Sequence, residues 1–160
     1  MTRTVRPGPR SAKSARTRLH SQFSVADTRK VQGPCHVIRS SAFPVVPGED
    51  TETNPGVFGR SLANYVAAQM RLRGWEVEGV IPEDFGYCVM LSRKPVVLWI
   101  GCGNRREKTD EWMAFVVAEG AIPKRVLRML DPSKEIGRVS EVLGEIMKSA
   151  PGVEEYIVES

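Results

Sequence analysis

The 160-residue chain is 41% apolar and 26% charged, the balance of one ordinary globular domain with room for a tail. No apolar run approaches the ~20 residues that cross a bilayer, which excludes a membrane-spanning helix, and no secretory apolar region stands near the N-terminus. The net charge of +4 is unevenly held: residues 1–30 carry +7, eight basic side chains against Asp27 alone, and the remainder carries −3.

Residues 1–32 are rich in Arg, Ser, Thr, Pro and Gly and show no sustained apolar period. Such a segment cannot bury enough surface to offset the entropy of ordering it, so it reads as a disordered basic arm ahead of a single domain over 33–160. An arm of this kind can touch nucleic acid through the phosphates, without sequence specificity. An organellar presequence is opposed by Pro7, Gly8 and Pro9, which break the helix it would need.

The first strand is expected near His36–Ser40, at an edge because Pro44 follows closely. Asn54-Pro55 then has the form of a helix start, an N-cap followed by proline at the first helical position. Phe58, Leu62, Tyr65, Val66 and Met70 keep helical spacing, and Gly74 supplies a left-handed stop, predicting a helix over 55–73. Trp75, Val77 and Gly79 alternate with Glu76 and Glu78 as a half-buried strand does, and 82–86 reads as a turn. Strands follow over 87–91, 96–103 and 111–119, joined by short polar turns that favour an antiparallel meander. Pro123 opens a short helix that stops at Asp131-Pro132. Val139, Val142, Leu143, Ile146 and Met147 form one face of another, and 153–158 is a candidate last strand. The fold class is α+β: an antiparallel sheet of four to five strands, with one N-terminal and two C-terminal helices packed on it.

Two of these strands are apolar on both sides: Leu98 and Ile100 alternate with Val97 and Trp99, and Ala114 and Val116 with Phe115 and Val117. Strands buried on both faces read this way. Either three helical segments wrap both faces, or one face awaits a second copy or a partner.

No complete catalytic set is present. Of two histidines only His36 lies in the domain, and Cys102, between two glycines at a strand exit, is its one attractive thiol partner. Cys35, His36, Cys88 and Cys102 supply zinc-type ligands but no CxxC pair, and neighbouring strand residues point to opposite faces. Glu83 and Asp84, in a turn between strands, invite comparison with magnesium-dependent nucleases, yet Ser92-Arg93-Lys94 lacks the acid two residues before the lysine. No phosphate-binding or dinucleotide glycine loop exists, so no cofactor is expected. Three cysteines in apolar settings suit free thiols in a reducing, cytoplasmic compartment. Trp75, Phe85, Tyr87, Trp99 and Trp112 fall on or beside the sheet. Base stacking would need basic neighbours that the domain does not supply, so core packing is the simpler reading.

The run NPGVFGRSLANYVAAQMRLRGWEVEGVIPEDFGYCVML, followed by LWIGCGN and EWMAFVVAE, resembles a group of small uncharacterised bacterial proteins. An NPG-led helix, an RGW strand start, a PEDWG-like turn and an LW(I/V)GCGN strand recur there in that order. The resemblance spans residues 54–119 and implies no activity. Phe85 stands where tryptophan is usual.

The expectation is a non-catalytic protein-interaction domain of the immunity, partner-neutralising type, binding a protein partner or a second copy through its sheet face. Its acidic domain suits a basic partner. The candidate surface is Trp75, Glu83, Asp84, Tyr87, Trp99, Cys102 and Asn104. The competing reading is a small enzyme, a metal-dependent hydrolase or nuclease or a thiol-dependent catalyst, centred on Glu83, Asp84 and Cys102. Nucleic-acid binding by the arm is the third.

Overall fold

A computed structural model describes residues 28–121, 125, 129 and 131–160. The elements in chain order are β1 (Thr28–Ser40), α1 (Arg60–Leu72), β2 (Gly79–Glu83), β3 (Gly86–Ser92), β4 (Val97–Asn104), β5 (Glu111–Ala121), α2 (Pro132–Lys148) and β6 (Val153–Glu159), with a 3₁₀ turn at Glu49–Thr51. The strands make one sheet of six in the order β2-β3-β4-β5-β1-β6, and every neighbouring pair is antiparallel. The chain is thus α+β, as its pattern implied, with a larger sheet and, among the described residues, two helices rather than three. The short helix expected from Pro123 falls on residues that are largely outside the described ones.

Both helices pack on the same side of the sheet, over β1, β3, β4 and β5. Leu62, Ala63, Val66, Ala67 and Met70 of α1, with Ile136, Val139, Leu143, Ile146 and Met147 of α2, meet Ile38, Val89, Ile100, Trp112, Ala114 and Val116 from the strands. Residues three and four apart share a helix face, so each helix presents one apolar stripe. Truncating one fully buried member, Leu62→Ala, costs about 2–5 kcal/mol. Trp112 belongs to this core, and its Nε1 donates to the Ser40 carbonyl at 3.0 Å.

The α1 start lies further on than the Asn54-Pro55 signal indicated. Val57 N donates to Asn54 O at 2.9 Å, closing a turn, and the helix begins at Arg60 after Gly59. Its end agrees with expectation: Gly74 is left-handed, and Trp75 N reaches back to Met70 O at 3.1 Å. In α2, Asp131 is the N-cap, its carboxylate accepting from Ser133 N at 3.0 Å, and Pro132 takes the first helical position.

Three strand expectations need correction. β1 is an interior strand between β5 and β6, not an edge, and it starts at Thr28, so residues 28–32 of the expected arm are sheet. Gly33-Pro34 conceals this, because the pairing register shifts between Gln32 and Cys35, and such a bulge admits a proline to an interior strand. Pro44 lies past the strand and does not bear on it. Next, β2 is Gly79–Glu83 rather than 75–79; Pro82 is tolerated there because β2 is an edge, and the turn shrinks to Asp84 and Phe85. The last segment does form a strand, β6, at the other edge.

Neither described helix covers the second face. There Cys88, Met90, Trp99 and Val117 form a smaller buried cluster, with Ile81, Phe85, Val97 and Phe115 packed around it. The register pairs Trp99 with Val117 and Gly101 with Phe115, which aligns these side chains across β4 and β5.

Candidate functional site

The seven candidate residues do not converge; they fall in four places. Tyr87, Cys102 and Asn104 lie at the junction where the segment before α1 and the β2–β3 turn close on the end of β4. Two glycines allow that approach. A Cβ on Gly59 would stand 2.8 Å from the Cys102 carbonyl oxygen, and one on Gly86 would collide with the same atom. Both take positive φ, 154° and 141°.

Asn104 is the clasp of the junction. Its Oδ1 accepts from Phe58 N at 2.9 Å, its own N–H donates to Phe58 O at 2.9 Å, and its Nδ2 donates to the Gly56 and Lys108 carbonyls at 3.0 Å each. Asn54 adds Nδ2 to the Asp84 carbonyl at 3.0 Å. These asparagines spend their polar groups on backbone, so the ordered motif of the sequence reads as architecture.

Beside the clasp lies a residue that sequence reasoning missed. Glu49 is 1% exposed, yet its Oε1 accepts from Gly59 N at 2.6 Å and Arg60 N at 3.0 Å, and its Oε2 from Val46 N at 2.6 Å. A carboxylate from the 3₁₀ turn thus caps the N-terminus of α1 in place of Asn54. Its only signal was an acid eleven residues ahead of the helix, which no local capping rule weighs. Arg60 then leans over Tyr87, 5.6 Å above its ring, donates to its hydroxyl at 3.4 Å, and pairs with Glu52. Burial raises the Tyr87 phenol above its ordinary pKa, with Arg60 opposing.

Cys102 is fully buried on the helix side, and burial pushes its thiol far above the ordinary range. Cys88, on the opposite face, is pushed up to about 12, by burial first and then by Glu83 and Glu119. The thiolate is the nucleophile, so neither thiol is primed to react. The zinc quartet is split as well, with His36 and Cys102 on the helix side and Cys88 on the other. Glu83 and Asp84 are exposed at the hairpin. Among the described residues no group of three or more His, Cys, Asp and Glu is placed to hold a metal ion.

His36 has other partners than Cys102. Its Nδ1 lies 2.7 Å from the Tyr156 hydroxyl and its Nε2 2.9 Å from Ser140 Oγ, tying β1 to β6 and α2. Burial first, and then the Lys148 charge, lower its pKa, which favours neutral imidazole. Ser140 is 6% exposed inside α2. The trio is built as a tie.

Trp99 stands apart on the second face. Phe85 stacks on it at 5.6 Å, Phe115 meets it edge-on at 6.1 Å, and Lys30 Nζ lies 5.4 Å from its ring. Phe115 also lies over Gly101, where any Cβ would fall 2.6 Å from its ring. Trp75, the last candidate, is half-buried beside α2, with Arg138 5.6 Å over its ring.

No family model, no curated protein and no solved structure matches the chain. The reading of the site therefore rests on its geometry. The thiol candidate is buried and held protonated, Asn104 is spent on backbone, and the two turn acids stand without a third ligand. What is left is the aromatic cluster of the second face, where Trp99 is 5% exposed and Phe85 and Phe115 are half-buried over it.

Proposed function

We propose that the chain is a non-catalytic protein-interaction domain of the partner-neutralising type, which engages a basic protein partner through the sheet face opposite its helices. One observation carries the reading: on the face that neither described helix covers, the half-buried Phe85 and Phe115 pack over a Trp99 that is itself 5% exposed, so these two phenylalanines are the aromatic area left to a partner. Aromatic anchors of this kind dominate interface energetics. Glu83 and Asp84, exposed at the hairpin beside Phe85, set acids at one end of the cluster, while at the other Glu119 pairs across the strands with Lys30, whose Nζ lies over Trp99. The acidic end is where a basic partner gains in steering and specificity. The three cysteines are free, in keeping with a reducing compartment, and no described helix is long and apolar enough to cross a membrane.

The test is capture with the full chain from nuclease-treated native lysate, followed by reconstitution with the purified partner. The control bait carries Phe85→Lys and Phe115→Lys, at two half-buried positions, with its fold checked by circular dichroism. The reading expects a basic partner of fixed stoichiometry, bound more weakly as salt rises and lost with the control. Self-association of the chain alone, abolished by the same substitutions, would replace the partner by a second copy. Nucleic acid captured when the nuclease step is omitted would favour the arm, whose residues 1–27 lie outside the described ones.

A further inference from the structure

The two edges of the sheet are built differently. β2 is five residues long and holds Pro82, which has no N–H to offer a further strand. β6 is seven residues long, contains neither proline nor glycine, and has no strand on its outer side among the described residues. Five of its residues are exposed, Ile157 at 40% and Val158 at 52% among them. An edge of this kind is a template for one more strand.

Acidic side chains guard many edges, and β6 carries three. Two are held by bases: Glu155 pairs with Arg39 at 3.0 Å and Glu159 with Arg105 at 2.9 Å, on the face that Ile157 shares. Glu154 falls on the side of Tyr156, where Lys148 lies 5.0 Å from the ring and Glu141 and Glu145 of α2 line the same groove. That side opposes any pairing that stacks glutamates.

A second copy pairing antiparallel with β6 does so about a twofold axis normal to the sheet. Each residue then meets one from the same face, so the dimer is centred on a single residue. Centred on Tyr156, all seven residues pair: Tyr156 meets Tyr156, Glu155 meets Ile157, Glu154 meets Val158 and Val153 meets Glu159. No glutamate opposes another. Moving the centre by one residue sets Glu155 against Glu155, or Glu155 against Glu159, and shortens the pairing to five residues. Like charges directly opposite are destabilising, so β6 allows one register and disfavours its neighbours. Such self-complementarity is what an isologous interface requires.

We propose that β6 pairs with β6 of a second copy, centred on Tyr156, joining two six-stranded sheets into one. The contact is small beside the ~800 Å² per partner of a standard interface, so the dimer is expected to be weak, with a Kd on the order of 10–100 μM. It leaves the aromatic face around Trp99 open, so either surface can fail alone.

The test is sedimentation of the full chain between about 5 and 500 μM, under reducing conditions, where a monomer–dimer equilibrium is expected. Val158→Glu, at an exposed position, sets a carboxylate opposite the second copy's Glu154 and does so twice by symmetry, which should weaken the dimer about tenfold. Adding Glu154→Lys turns both clashes into Lys–Glu pairs and should restore the original affinity. The two positions lie four residues apart on one strand, about 13 Å, so no contact within a chain can imitate that rescue. Circular dichroism checks that both variants fold. A dimer indifferent to Val158→Glu, or a loss that Glu154→Lys does not reverse, would overturn the proposal. A chain monomeric throughout would overturn it as well and leave the edge to a strand of another protein.

Discussion

Asn104 and Phe58 hold each other by a reciprocal pair of hydrogen bonds. The Phe58 N–H donates to Asn104 Oδ1, and the Asn104 N–H donates to the Phe58 carbonyl, both at 2.9 Å. One side chain thereby fixes the segment that leads into α1 against the end of β4.

Asn104→Ala is expected to leave the Phe58 N–H and the Gly56 and Lys108 carbonyls without their partner. A buried group left unpaired costs about 1–3 kcal/mol. Urea unfolding should show a loss of about 2–4 kcal/mol, part of it recovered by water reaching Lys108. A loss under ~0.5 kcal/mol would mean that Asn104 was available for some other task.

Glu49 makes a stronger prediction, since its carboxylate is nearly inaccessible and serves three backbone donors. Glu49→Ala removes the cap of α1 and strands those N–H groups, for an expected loss of about 3–5 kcal/mol. Glu49→Gln turns an amide donor on one side toward a backbone donor and should cost less, about 1–3 kcal/mol. Ranking the two by denaturant midpoint checks the cap directly.

The His36 tie gives a pH dependence of definite sign. Burial and then Lys148 depress its folded pKa, while the unfolded histidine titrates near ~6.5. Below about pH 6.5 the unfolded chain takes up a proton that the folded chain does not. This contribution to stability is therefore whole above ~6.5 and is lost as pH falls through that value toward the folded pKa. Ser140, Glu141, Glu145 and Lys148 of α2 and Tyr156 of β6 are the groups around the ring. Unfolding free energies between pH 7.5 and 5.5 should fall, and fall less in Lys148→Gln, whose His36 pKa moves upward. A fall of equal size in His36→Gln would assign the effect elsewhere.

The thiols should react in the order of their exposure. Cys35 is half-buried and raised by burial and then Glu159, Cys88 is buried and raised to about 12, and Cys102 is fully enclosed. Pulse alkylation read by mass spectrometry is expected to label Cys35 first and Cys102 only on unfolding. A fast-alkylating Cys102 in the folded chain would revive the thiol-enzyme reading.

The meander β3–β4–β5 was legible because its strands are continuous apolar runs between polar turns, and α2 because its apolar period is strong and Pro151-Gly152 follows its end. The interior place of β1 was not, since Gly33-Pro34 imitates a break and only the partners on both sides make the bulge acceptable. The α1 start was misplaced because its cap is tertiary: Glu49 acts across ten residues, while Asn54-Pro55-Gly56 offers a convincing local signal that the fold uses as a turn. The same limit hid the His36–Ser140 pair, whose members are 104 residues apart. Trp99 and Phe115 were legible as residues on one apolar strand face, but only the packing of both helices on the other side leaves that face as the candidate surface.

The most direct measurement of the central claim is the stoichiometry of partner capture by three baits: the full chain, its Val158→Glu variant, and its Phe85→Lys/Phe115→Lys variant. The account predicts one basic protein at fixed ratio on the first two and none on the third, with all three folded. Retention of that partner by the Phe85→Lys/Phe115→Lys bait, or an empty capture by all three, would contradict it.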